Sequence, residues 1–234
     1  MKKHIFTFIA FVLAIIAAQA KDIVVTDITA DQIPSEVKYK GDIYAAVTWK
    51  DKQGTHFVIE TQTKPLMTKS AKAAQQREEE DNIVDANGNT EPIAYLDADY
   101  RIKGLFTYHY VQNKKDGLVL VFKHIDFIDQ CTEQNLHANY LTKPVITDLN
   151  DDKNAEVWLV YALGCRQFDA TPLAMRMIVY MGNQRAQVNG LQLVYRKDGK
   201  TNGGESRMDE NFQQLPQPIK DFGKRLWMEN VNQK

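Results

Sequence analysis

The chain is poor in the residues that most metal and redox chemistry needs. Of 234 residues, two are cysteine and five are histidine. None of the histidines stands in an HExxH or other zinc-binding spacing. No GxSxG elbow, P-loop or dinucleotide fingerprint occurs. An excess of charge is missing as well: 29 basic residues face 30 acidic ones. That balance leaves nucleic-acid binding without electrostatic support. After residue 20 no apolar run is long enough for a membrane helix, which needs roughly 20 residues.

The one long apolar run stands at the start. Met1-Lys2-Lys3-His4 precedes Ile5 to Ala18, and Ala18-Gln19-Ala20 follows. A basic segment, an apolar core and a small-x-small site read as a secretory signal over 1–20, cut after Ala20. The remainder, 21–234, reads as one β-rich domain with no membrane span, placed in the periplasm or secreted. The whole chain's hydrophobic share of 44% fits a globular protein with a core.

Export bears on the cysteines. Two of them in an oxidising compartment favour one disulfide, Cys131 to Cys165, over a catalytic thiol. Two buried free thiols are the alternative.

Strand signals dominate the chain. Lys21 to Ile28 reads as a first strand. Ile43 to Trp49 and Thr55 to Thr63 form a hairpin across Lys50 to Gly54. In the second arm Phe57, Ile59 and Thr61 alternate with Val58, Glu60 and Gln62, so one face is expected to be solvated. Residues 64–91 break the pattern with an Ala/Gln/Glu stretch that has no apolar stripe, and read as an exposed insertion. Ile102 to Gln112 and Leu118 to Phe127 pair around Lys115-Asp116-Gly117. Val157 to Leu163 is apolar on both faces and reads as a central strand. Ala174 to Met181 and Gln184 to Tyr195 pair around Gly182-Asn183, and Lys197 to Asp209 reads as a loop. Ile219, Phe222 and Leu226 then fall at helical spacing, giving an amphipathic helix over about Pro218 to Asn230. The expected fold is mainly β: an antiparallel sandwich or curled meander of about ten strands with a C-terminal helix. Ten strands are too few for a propeller.

The most chemical stretch is Thr147 to Trp158. Oxygen side chains stand at Asp148, Asn150, Asp152 and Glu156, with Asn154 between the last two. Calcium takes six to eight oxygens, and alternate residues of a tight loop can supply them. Asp148, Asn150 and Asp152 take positions one, three and five. Asn154 offers its backbone carbonyl at seven, and Glu156 closes the shell at nine. The twelfth position is Leu159, so this is no EF-hand. Position six, usually glycine, is Lys153, which must accept the turn geometry there. A plain acidic turn is the alternative reading. The two cysteines bracket the loop, so bridge and cation are expected to act on one segment.

The spacing, with strands on both sides, resembles the short calcium loops of integrin-type β-propeller blades. A wider resemblance runs through Cys131, Val145 to Asp152, Glu156-Val157-Trp158, Tyr161, Gly164-Cys165-Arg166 and Met175 to Tyr180, with an echo at Trp49 to Gly54. These residues are similar to a family of uncharacterised exported bacterial proteins loosely labelled surface-polysaccharide-associated. The resemblance implies an envelope setting and supplies no catalytic residues.

Other groups carry less. His109 between Tyr108 and Tyr110 reads as a packed or surface histidine. Asp97 and Asp99 read as an exposed face before they read as a glycosidase pair. Trp49, Tyr95, Tyr100, Tyr108 and Tyr110 read as core and cross-strand packing before a sugar-stacking surface. The function expected is a non-catalytic binding or structural module of the cell envelope, held by one calcium ion and one disulfide, with an unidentified envelope component or glycan as partner. An enzyme acting on envelope glycans through carboxylates is the alternative.

Overall fold

The structure, a computed structural model, describes residues 23–67, 83–84, 90–91, 100–166, 168 and 170–232. The expected signal segment 1–20, most of the expected insertion over 64–91, and Asp97 and Asp99 lie outside the described residues.

Two antiparallel sheets face each other. The first contains β1 (Thr26–Asp27), β2 (Asp42–Lys50), β3 (Thr55–Gln62), β4 (Leu66–Met67), β7 (Tyr100–Asn113) and β8 (Gly117–Thr132). Its order is β1-β2-β3-β7, with β8 on the far side of β7. β4 pairs with β7 at Ile102 and Arg101, beyond the point where β3 ends opposite Leu105. A separate short pair, β5 (Ile83–Val84) and β6 (Thr90–Glu91), stands by itself. The second sheet contains β9 (Leu136–Tyr140), β10 (Val145–Thr147), β11 (Glu156–Cys165), β12 (Ala174–Met181), β13 (Gln184–Leu191) and β16 (Ser206–Met208). Another small pair is β14 (Val194–Tyr195) with β15 (Thr201–Asn202).

Strand alternation sorts the side chains into three cores. Val47, Trp49, Val58, Leu105 and Phe122 of the first sheet meet Tyr140, Val157, Leu159, Tyr161, Ile178 and Tyr180 of the second. That is the sandwich core. The opposite face of β11 and β12 carries Trp158, Val160, Met175, Met177 and Val179, which pack against Phe212, Ile219, Leu226 and Trp227. These last come from the short helix Glu210–Gln214 and the longer helix Gln217–Asn230. Asp209 caps the short helix by accepting from the Phe212 N–H. Gly223 lets the long helix lie close, since a Cβ there would stand 2.6 Å from the Phe212 ring and 3.1 Å from Trp158. Cores on both faces explain why β11 is buried from Glu156 through Leu163.

The third core corrects an expectation. The outer face of β3 is dry: Phe57 and Ile59 are buried together with Phe106, Tyr108 and Tyr110 beneath Ile33 and Val37. Those two residues belong to the irregular stretch between β1 and β2, which crosses the sheet as a strap. Both faces of β3 are therefore covered, and neither is solvated as the alternation implied. The Lys197 to Asp209 loop also contains more structure than expected, because β16 extends the second sheet by pairing with β13. The strands exceed ten mainly through two- and three-residue pieces. Among the described residues no helix is long and apolar enough to cross a membrane.

A candidate binding cleft and cation loop

The two ends of the sandwich are built differently. At one end Cys131 of β8 is bonded to Cys165 of β11, Cα to Cα 5.5 Å, so the bridge joins the two sheets. The acidic loop stands at the other end of β11. Ten residues of strand separate the two features, or about 30 Å at the rise of an extended chain. Bridge and loop therefore grip opposite ends of one strand.

At the loop end Asp148, Asn150, Asp152 and Asn154 come together as the spacing implied. The Asp152 N–H donates to Asp148 Oδ1 at 3.2 Å and to Asn150 Oδ1 at 3.3 Å. The Lys153 N–H donates to Asp148 Oδ2 at 3.1 Å, and the Asn154 N–H to Asp152 Oδ1 at 2.7 Å. Lys153 adopts φ +64°, and Asp151 φ +55°. The sixth position thus takes the left-handed turn despite its side chain.

Glu156 lies near Asp148. It is fully buried and its carboxylate lies under the loop. It accepts from Thr147 Oγ1 at 2.7 Å and from the Leu149 N–H at 3.0 and 3.2 Å. Burial raises its pKa, opposed by those hydrogen bonds and aided by the Asp148 charge. Its oxygens shape the loop from below. Among the described residues, no three His, Cys, Asp or Glu side chains gather as a metal cluster. The oxygens suited to a hard cation are Asp148, Asn150 and Asp152 side chains with the Asn154 carbonyl, a set in which amide and backbone oxygens count equally with carboxylates.

The loop is fastened to the facing sheet. Gln53 Nε2 donates to Asn154 Oδ1 at 2.9 Å, and Lys52 Nζ to the Asp152 carbonyl at 3.4 Å. Both residues sit in the β2–β3 turn. Beside this junction opens a cleft of about 790 Å³. One wall is the acidic loop and the β2–β3 turn; the other is the β12–β13 turn and the end of the short helix.

The cleft base is a group that sequence reasoning missed. Asp51 Oδ1 accepts from His56 Nε2 at 2.8 Å and also from the Gln53 and Gly54 N–H groups. His56 Nδ1 lies 2.9 Å from His109 Nε2. With Asp51 ionised and both rings neutral, His56 donates from Nε2, His109 donates from Nε2, and His109 Nδ1 is left as an acceptor. Burial, and then the neighbouring His56, hold the His109 pKa down to about 3. Trp49 stacks on His56 at 4.6 Å between centroids and 8° between planes. His109 Nδ1 and Trp49 Nε1 are both buried without a hydrogen-bond partner among the described residues. The signal available in the sequence was the hairpin register, which sets Trp49 opposite His56; the diagonal to His109 needs the third strand. His109 is thus a packed histidine, and Trp49, Tyr108 and Tyr110 are core.

A second polar chain crosses the sandwich core. Arg176 holds Asp126, which accepts from the Tyr161 hydroxyl at 2.8 Å. Tyr161 and Tyr180 hydroxyls flank the two nitrogens of His124 at 2.9 and 3.1 Å. Burial lowers the His124 pKa to about 4. Every member has a partner, so this chain fixes the register of the two sheets.

Comparison with family models, with curated proteins and with solved structures finds no match to this chain.

Proposed function

We propose that the chain is an exported, non-catalytic binding or structural module of the cell envelope, stiffened by one calcium ion and one disulfide. The observation that carries this reading is the junction of the acidic loop with the β2–β3 turn through Gln53 and Lys52. A cation held by Asp148, Asn150, Asp152 and the Asn154 carbonyl would order the loop, and through that junction the facing sheet and the cleft between them. Calcium suits an oxygen-only donor set. The Cys131–Cys165 bridge fits an oxidising compartment, in keeping with the apolar leader at the N-terminus. The cleft lining holds no serine, threonine, cysteine, lysine or glutamate among the described residues. Its Asp51 is engaged by three donors and its His109 is too weak a base to take a proton at neutral pH, which favours binding over catalysis.

Thermal melting tests the cation. At about 10 mM calcium, and with an affinity of about 10⁻⁴–10⁻³ M, linkage gives roughly 1.4–2.7 kcal/mol. The expected rise in Tm is about 3–10 °C. Asp148→Ala abolishes the rise. If calcium leaves the Tm of the wild type where it was, the loop is an acidic turn and the reading fails.

A further inference from the structure

We propose that the cleft at the loop end is a binding site for a neutral, hydroxyl-rich sugar chain, with the Trp49–His56–His109 stack at its base. The inference rests on the binding-module reading and gives it a site and a ligand class.

The walls carry the first argument. Carboxamides dominate them: Gln53, Asn150 and Asn154 on the loop side, Asn183, Gln184 and Gln214 on the other. A carboxamide carries a donor pair and an acceptor on one rigid plane, and a sugar hydroxyl is likewise both donor and acceptor. Pairing the two removes no charge from water, so the desolvation of each is offset by a hydrogen bond of similar kind. On the loop side Gln53, Asn150 and Asn154 are already partly paired, so the open groups are on the other wall. The side chains of Asn183, Gln184 and Gln214 are exposed and make no hydrogen bonds to described residues. They are free to receive a ligand. The charged groups argue the same way. Arg185 stands with Asp152 and Asp51 around the cleft, so no surplus positive charge exists to hold a polyanion. An acidic polysaccharide therefore fits worse than a neutral one.

The base carries the second argument. His109 and Trp49, 5% and 2% exposed, leave one acceptor and one donor unpaired. Where Asp51 accepts the His56 Nε2–H and His56 Nδ1 accepts from His109, the unpaired His109 nitrogen is the acceptor and the indole N–H the donor. A hydroxyl can serve either one, donating to the imidazole nitrogen or accepting from the indole N–H. Both atoms are buried in the ligand-free fold, so the proposed site requires the rings to move when the sugar binds.

The test titrates the mature protein with neutral hexasaccharides of glucose, mannose and N-acetylglucosamine, and with an acidic hexasaccharide of galacturonate. Tryptophan fluorescence reads binding, and ¹⁵N-histidine spectra read His109 Nδ1. A neutral hexasaccharide is expected to bind and to shift the Nδ1 resonance. Gln184→Ala and Gln214→Ala, both exposed and outside the core, are each expected to weaken binding about fivefold to tenfold. Trp49→Phe, which keeps a ring and removes the N–H, is expected to weaken it by a similar factor. The inference is overturned if no neutral sugar binds, if only galacturonate binds, or if both glutamine variants bind as the wild type does. It is overturned as well if Nδ1 carries hydrogen in the free protein. Calcium-dependent melting separates the two readings. A protein that calcium stabilises and no sugar binds retains the module and loses this site. A protein that binds sugar without any calcium response retains the site and loses the cation.

Discussion

Breaking the Cys131–Cys165 bridge is expected to lower stability by about 3–4 kcal/mol, the loop-closure value for a 34-residue separation. That corresponds to a fall in Tm of roughly 10 °C for a domain of this size. The geometry adds a second consequence. Cys131 is the next-to-last residue of the edge strand β8 of the first sheet, and Cys165 ends β11 of the second. The bridge therefore holds the sandwich shut at the end away from the cleft. Reduction is expected to speed amide exchange around Leu136 and Leu163 while leaving the amides of the acidic loop unchanged. Calcium, in the proposed reading, acts at the other end. Sites so far apart with no shared partners are additive within about 0.5 kcal/mol. A cycle built from Cys131→Ala/Cys165→Ala and Asp148→Ala, measured in calcium by chemical denaturation, tests this. A coupling energy well above that bound would mean that bridge and loop stabilise one local unit, as their bracketing in the sequence implied. A Tm unmoved by reduction would remove the bridge as a fastener altogether.

How far the chain could be read ahead of its structure follows from what each feature depends on. The hairpins at Lys50 to Gly54 and Asn113 to Gly117 are local, and their turn residues and β-branched arms announce them. β11 is legible because seven consecutive buried positions, Val157 to Leu163, leave a continuous apolar run. The strap over β3 is not legible: Ile33 and Val37 lie in an irregular segment and carry no period. Without it, the alternation in β3 looked half-solvated. β16 is hidden for another reason. Its residues Ser206 to Met208 are mostly polar, and the pairing with β13 is a backbone matter. Gly190 admits that approach, since a Cβ there would stand 2.0 Å from the Glu205 carbonyl oxygen. In the acidic loop, alternation correctly brings Asp148, Asn150 and Asp152 together. Spacing alone does not reveal that Glu156 points under the loop, because β11 starts there and the strand dictates its direction. The cleft is tertiary throughout. Trp49, His56, His109, Asn183 and Gln214 come from separate elements, and no window of sequence contains more than two of them.

Glu60 is expected to set the pH dependence of stability, and its replacement by leucine to stabilise the protein. The residue sits in β3 on the face toward the second sheet, opposite Ala45 and Thr107. It is fully buried, and among the described residues neither carboxyl oxygen has a hydrogen-bond partner. Burial pushes its pKa well above the ordinary carboxylate range. The folded protein therefore keeps a proton that the unfolded chain releases near pH 4.3, the ordinary glutamate value. Between that pH and the raised folded value the native state binds more protons than the unfolded state, so stability falls as pH rises. The loss approaches about 1.4 kcal/mol per pH unit inside the window and stops above the folded pKa. Two variants divide the effect. Glu60→Gln retains a buried polar group but cannot ionise; it is expected to match the wild type near pH 4 and to exceed it increasingly toward pH 8. Glu60→Leu also removes the unpaired polar group, worth about 1–3 kcal/mol, and is expected to exceed the wild type at every pH. Thermal melting of the three proteins from pH 4 to pH 8 checks both. Parallel curves for wild type and Glu60→Gln would show that the carboxyl finds a partner or water for its charge, and that the core around Thr107 and Tyr140 is wetter than its packing indicates.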